Sequence, residues 1–247
     1  AVPIRKASEI VDFGLRIRGG EADARTRRRG VLREFQAGAE GAAAAASVLR
    51  SGELVILPTD TVYGIAADIR DDAAVRRIYE AKLRAADFPL QLLFGRDPAL
   101  IAQYAMVNES ARKLVDALGP GAWTIVVPAR DGWDSPALSG GRTVGFRMVP
   151  VETTLDVLDA LGGPVAASSA NVSGGDSPTT CADAVAQVGE TCAVAIDAGP
   201  TAKGLDSTVI DVSGDEPRIL REGAIDRATV ARILGLVQIQ VVRSVRS

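Results

Sequence analysis

Short apolar runs that alternate with segments of helical periodicity constrain this chain more than any other feature of its sequence. Leu54 to Leu57, Leu90 to Phe94, Trp123 to Val127, Thr143 to Met148, Val165 to Ser168, Val194 to Ile196, Ser207 to Asp211 and Arg218 to Leu220 have the length and character of strands. Between them, helical patterns run from Gly38 to Leu49, from Asp71 or Asp72 to about Lys82, from Pro98 to Tyr104, from Glu109 to Leu118 and from Thr153 to Leu161. Two more start at Thr180 and at Arg227, the latter reaching Leu234. Such alternation predicts an α/β fold, an open sheet covered by helices. The four-residue link Ser213 to Glu216 makes the last two long strands an antiparallel hairpin, so the sheet is mixed.

Composition narrows the chemistry. The 247 residues contain no histidine, which excludes a Ser-His-Asp triad, a Cys-His pair and histidine-bound zinc. What remains is an inventory of carboxylates, hydroxyls, backbone amides, Lys and Arg, better suited to binding and polarising anions than to moving protons near neutral pH. Cys181 and Cys192 lack metal-ligand spacing and read as free thiols of a cytoplasmic protein. No apolar run approaches the ~20 residues of a membrane span. Residues 1–36 form a basic N-terminal extension, with nine Lys/Arg against five Asp/Glu. Arg25, Arg27, Arg28 and Arg29 are its densest group, but no aromatic side chains interleave with them.

The stretch from Glu53 to Asp68 changes character abruptly. Its strand ends at Pro58, which has no backbone donor, and Thr59, Asp60 and Thr61 then place two hydroxyls and a carboxylate where the chain leaves the sheet. Residues so placed are held by the sheet and exposed by the loop. Pro58 to Gly64, PTDTVYG, resembles the signature of the Sua5/YciO/YrdC proteins. Further landmarks follow in the family's order: Lys82-Leu83-Arg84, Gly119 to Thr124, Arg147, Ser169-Ala170-Asn171, Leu205 to Thr208, and Leu220-Arg221-Glu222-Gly223. Two positions depart from the pattern. Ala85 stands where the family has proline after K-x-R, and Leu93 replaces a histidine whose loss would remove a polar contact to the amino-acid substrate.

The resemblance implies a YrdC-like open twisted mixed sheet with flanking helices over residues 37–247, ending in a short tail. It implies an L-threonylcarbamoyladenylate synthase, which joins L-threonine, bicarbonate and ATP into threonylcarbamoyl-AMP and pyrophosphate for the tRNA modification t6A. Mg2+ would arrive with ATP, no protein-ligated metal is expected, and a t6A transfer machinery would receive the product. Carried over residue by residue, Lys82 and Arg84 are the catalytic cations. Thr59, Arg147, Ala167 and Ser207 belong to the threonine side. Lys82, Ala86, Thr143, Ser169, Asn171, Ser177 and Arg221 belong to the nucleotide side. Two other readings stay open: a double-stranded RNA-binding protein using the basic arm, and a divergent relative acting on another amino acid or carbamoyl compound.

Overall fold

The computed structural model describes residues 31–83, 85 and 88–242. Residues 1–30, with the arginine cluster on which the alternative RNA-binding reading rests, lie outside the described residues, as do Arg84 and Ala86.

Among the described residues eleven strands form one mixed sheet: β1 (Arg33–Gln36), β2 (Leu54–Leu57), β3 (Gly64–Asp68), β4 (Gln91–Phe94), β5 (Trp123–Pro128), β6 (Thr143–Met148), β7 (Val165–Ser169), β8 (Cys192–Asp197), β9 (Thr208–Asp211), β10 (Arg218–Arg221) and β11 (Gln240–Val241). Their order across the sheet is β1-β8-β2-β3-β7-β4-β6-β5-β9-β10-β11. The β9–β10 hairpin is antiparallel, as its short link requires. At one edge β1 runs parallel to β8, so the last four residues of the stretch set apart by charge belong to the sheet.

Six helices flank it: α1 (Ala39–Arg50), α2 (Asp72–Ala81), α3 (Glu109–Leu118), α4 (Glu152–Leu161), α5 (Cys181–Val188) and α6 (Arg227–Leu234). Their starts carry local signals. Asp71 accepts from Ala73 N and Ala74 N at 2.9 and 3.1 Å, Asn108 from Ala111 N at 2.9 Å, and Asp226 from Thr229 N at 2.8 Å. The helical pattern from Pro98 is a six-residue 3₁₀ turn, Pro98–Gln103, capped by Asp97.

Alternation of side chains along each strand divides the apolar residues into two layers. On one face Ile56, Ile65, Leu92, Phe94, Ile125, Phe146 and Ile210 pack under α2, α3, α5 and α6. Trp123 and Tyr63, both fully buried, join this layer, which settles them as core residues. On the other face Val55, Leu57, Ala66, Val165, Val194 and Ile196 pack under α1 and α4. The alanines of α1, Ala42, Ala45 and Ala46, are buried there and let the two helices approach closely. The layer beneath α1 and α4 draws its strand residues from β2, β3, β4, β7 and β8, and the cleft described below lies over β7, β4, β6, β5, β9 and β10.

One glycine explains the Leu-Arg-x-Gly landmark. A Cβ on Gly223 would lie 2.2 Å from Asp206 O and 2.7 Å from Ser207 C and O, all backbone atoms that cannot swing aside. The close approach lets Gly223 N donate to Thr208 Oγ1 at 3.0 Å. Gly223→Ala should therefore destabilise the fold by about 2 kcal/mol or more, read as a lowered urea midpoint; an unchanged midpoint would show that the backbone relaxes freely here. Burial also raises the Cys181 thiol to about 11 and that of Cys192 to about 12. At pH 8 both should resist a thiol reagent in the native protein and react in denaturant; rapid native labelling would contradict their burial.

Candidate active site

The same alternation aims a polar set into a cleft of about 310 Å³. On β6, Val144 and Phe146 enter the core, so Thr143, Gly145 and Arg147 face the opposite way and line the cleft. Thr124 and Val126 of β5, Gln91 of β4, Ala167 and Ser169 of β7, and Val209 of β9 share that face. Thr61 comes from the turn after β2, while Asp206, Ser207 and Arg221 close the far side.

Arg147 is the most constrained member. It is 2% exposed, and a buried guanidinium must be paired. Its Nε donates to Gly121 O at 2.9 Å, Nη1 to Thr61 Oγ1 at 2.9 Å, and Nη2 to Asp60 Oδ1 in a buried ion pair. Asp60 Oδ2 lies 3.3 Å from Lys203 Nζ. Burial pulls Arg147 below the ordinary arginine range while Asp60 pushes it up, and arginine remains cationic at neutral pH. These bonds use three of its five N–H groups, so it retains capacity for an anion.

Hydroxyls connect the floor to the opposite wall. Arg221 Nη2 donates to Ser207 Oγ at 3.1 Å and its Nε to Ser207 O at 3.1 Å. Ser207 Oγ lies 2.9 Å from Thr124 Oγ1, which donates to Gln91 Oε1 at 2.6 Å. Asp206 stands 3.7 Å from Arg221 Nη1 and accepts from Ser177 Oγ at 3.3 Å. Arg221 is thus a partly exposed cation held on the wall.

Other expected residues stand behind the surface. Thr59 is buried; its hydroxyl donates to Val62 O at 2.6 Å and accepts from Thr61 N at 3.2 Å, closing the turn that presents Thr61. Lys82 is 2% exposed, and its Nζ donates to Ser169 O at 2.5 Å and Asn171 O at 2.7 Å. Asn171 Nδ2 in turn donates to Val172 O and Gly175 O at 2.9 and 2.8 Å. Lys82 and Asn171 therefore hold the loop after β7 in shape.

Of the expected residues, Thr143, Arg147, Ala167, Ser169, Ser207 and Arg221 line the cleft. Thr59, Lys82, Asn171 and Ser177 support it, while Arg84 and Ala86 lie outside the described residues. Sequence reasoning did not assign Asp60, Thr61, Gln91, Thr124 or Asp206 to the site. Asp60 and Thr61 were signalled by their place between Thr59 and Val62, and Thr124 by the landmark from Gly119; Gln91 had no signal beyond a polar residue in an apolar strand. Leu93 is 1% exposed, pairs in register with Arg147 on the face of the sheet that Gln91 shares, and belongs to the core layer beneath α1 and α4.

The Sua5/YciO/YrdC family, described as "Telomere recombination", matches residues 47–223. The chain is 40% identical over 202 residues to a Mycobacterium leprae protein named putative threonylcarbamoyl-AMP synthase, covering 81% of this chain and 90% of that protein. It is 35% identical over 198 residues to the threonylcarbamoyl-AMP synthase of Bacillus subtilis, covering 80% of this chain and 57% of that one. Sua5 of Pyrococcus abyssi, solved in complex with L-threonine, superposes with a TM-score of 0.79 at 32% identity over 85% of this chain and 62% of its own. YciO of E. coli, at 23% identity and a TM-score of 0.72, shares the fold. Landmarks, sheet and cleft thus agree with the sequence match: the chain belongs to the Sua5/YciO/YrdC family.

Proposed function

We propose that this chain is a threonylcarbamoyl-AMP synthase, converting L-threonine, bicarbonate and ATP into threonylcarbamoyl-AMP, pyrophosphate and water. The observation that carries the reading is Arg147, a buried guanidinium with N–H groups to spare on the wall of a cleft that holds a second cation, Arg221. Relatives named for this activity, and a neighbour solved with L-threonine, support it.

The chemistry calls for such an arrangement. Threonine's amine takes up carbon dioxide derived from bicarbonate as a carbamate. A carbamate oxygen then attacks the α-phosphorus of ATP, and the bond to the β-phosphate oxygen breaks to release pyrophosphate. Two anions must meet, so positive charge must be fixed before they do. Arg147 suits the threonine carboxylate, since a planar guanidinium pairs with two oxygens at once. Ala167 and Ser207 complete the amino-acid side, and Thr59 holds Thr61 in the turn beside them.

Arg221, Thr143 and Ser169 serve the nucleotide side, with Asn171 and Ser177 supporting the loops that carry it; Arg84 and Ala86 are proposed to join them. Lys82 acts there by fixing the carbonyls of Ser169 and Asn171. Mg2+ would be carried on the ATP phosphates and neutralise part of their charge. Transfer of the product to a t6A-forming machinery in the cytoplasm completes the proposal. No helix among the described residues is long and apolar enough to cross a membrane.

Pyrophosphate release should require threonine and bicarbonate together, with a threonylcarbamoyl-AMP mass in the products; release without threonine would sink the assignment. Arg221→Ala removes a half-exposed side chain and should keep the fold while lowering kcat/KM by roughly 10²-fold. An active variant would move the phosphate role elsewhere. Lys82→Met should differ in kind, since it strips two buried carbonyls of their donor. It should cost about 1–3 kcal/mol of stability as well as activity, and an unchanged thermal midpoint would refute the loop-holding role.

A further inference from the structure

We propose that Gln91 determines amino-acid specificity by reading the side-chain hydroxyl of the substrate, an inference that rests on the synthase reading above. Gln91 pairs in register with Ala167 of β7 on one side and Gly145 of β6 on the other. Its side chain therefore rises between two positions that offer almost no side chain. Gly145 is small for a reason: a Cβ there would meet Thr124 Cγ2 at 3.0 Å and Gln91 Cβ at 3.9 Å. The bond from Thr124 to Gln91 passes over it.

The direction of the protons follows from the partners. An amide oxygen only accepts, so Thr124 spends its hydroxyl proton on Gln91 Oε1. Ser207 must then donate to Thr124 across their 2.9 Å contact, while it accepts from Arg221. Both hydroxyls are left with lone pairs only. The amide nitrogen of Gln91 ends the chain, and among the described residues it has no partner, so it offers N–H to the cleft that Gln91 lines.

A floor of this polarity, an N–H donor beside hydroxyl oxygens that only accept, matches an alcohol, which accepts through its oxygen and donates through its proton. It matches a methyl group poorly, because the amide N–H would be left unpaired. Arg147 is the next residue of β6 on the same face after Gly145, about 7 Å along the strand. An α-amino acid held there by its carboxylate brings its β-substituent toward Gln91.

The test compares kcat/KM for L-threonine and L-valine, which carries a methyl in place of the hydroxyl, in the wild type, in Gln91→Leu and in the near-isosteric Gln91→Glu. The wild type should favour threonine. In Gln91→Leu the threonine-to-valine ratio should fall at least about tenfold, through the KM for the amino acid, with the KM for ATP within twofold. Gln91→Glu, which keeps the length but replaces the N–H with an acceptor, should lose the ratio too. A ratio unchanged in both variants, or an equal loss for both amino acids, would overturn the assignment and leave synthase activity standing. A wild type that makes no adenylate from threonine would overturn the synthase reading, and this inference with it.

Discussion

A guanidinium taken out of water has to find its partners inside the protein, and Arg147 finds them on two segments other than its own. Asp60 and Thr61 come from the turn after β2, Gly121 from the loop before β5, and the arginine itself from β6. Those segments are distant in sequence and meet only across the sheet. Breaking a buried pair by removing one partner costs several kcal/mol, commonly ~3–5, so the turn, loop and strand are held in mutual position by that penalty. The turn is built for this task. Thr59 closes it from within, and Thr154 of α4 donates to Pro58 O at 2.6 Å, tying its start to the second helix layer. Lys203 approaches Asp60 from the loop before β9, and its backbone N donates to Asp60 O at 3.1 Å.

Around this anchor the cleft is shaped by small residues as much as by charged ones. Gly145 and Ala167 lower the floor of the cleft, and Gly223 lets two backbones nearly touch so that Arg221 and Ser207 stand together. Lys82 follows a similar logic in the loop beyond β7. A buried ammonium has three donors to place, and the carbonyls of Ser169 and Asn171 receive two of them. Cations at the surface of the cleft and cations beneath it thus differ in place: the former line the cleft, the latter hold the backbone that lines it.

Much of the fold was legible because its signals are local. The strand from Leu54, the hairpin linked by Ser213 to Glu216 and the helix capped by Asp71 are written in runs of a few residues. The edge strand β1 was not, because the charges of Arg33 and Glu34 hide a strand whose neighbour among the described residues, β8, lies about 160 residues away and supplies the pairing. A strand in the terminal stretch from Val237 was legible, and its pairing partner, β10, was not. For the cleft, the landmarks named segments that line it, yet did not tell that Lys82 and Thr59 stand beneath its surface or that Gln91 lines it. Whether a polar side chain faces a ligand or the protein depends on which strand lies beside it, and no spacing along the chain records that.

By itself the sequence determined the α/β class, the confinement of any chemistry to cations, carboxylates and hydroxyls through the absence of histidine, and the family through its ordered motifs. Those properties belong to residue identity and short-range periodicity. The tertiary structure decided the rest: the order of eleven strands, the extent of the sheet that α1 and α4 cover, the partner of Arg147 and the direction of the hydroxyl chain from Arg221 to Gln91. Each of these depends on contacts between segments far apart in the chain, where burial forces every charge and hydroxyl to take the partner that folding brings within reach.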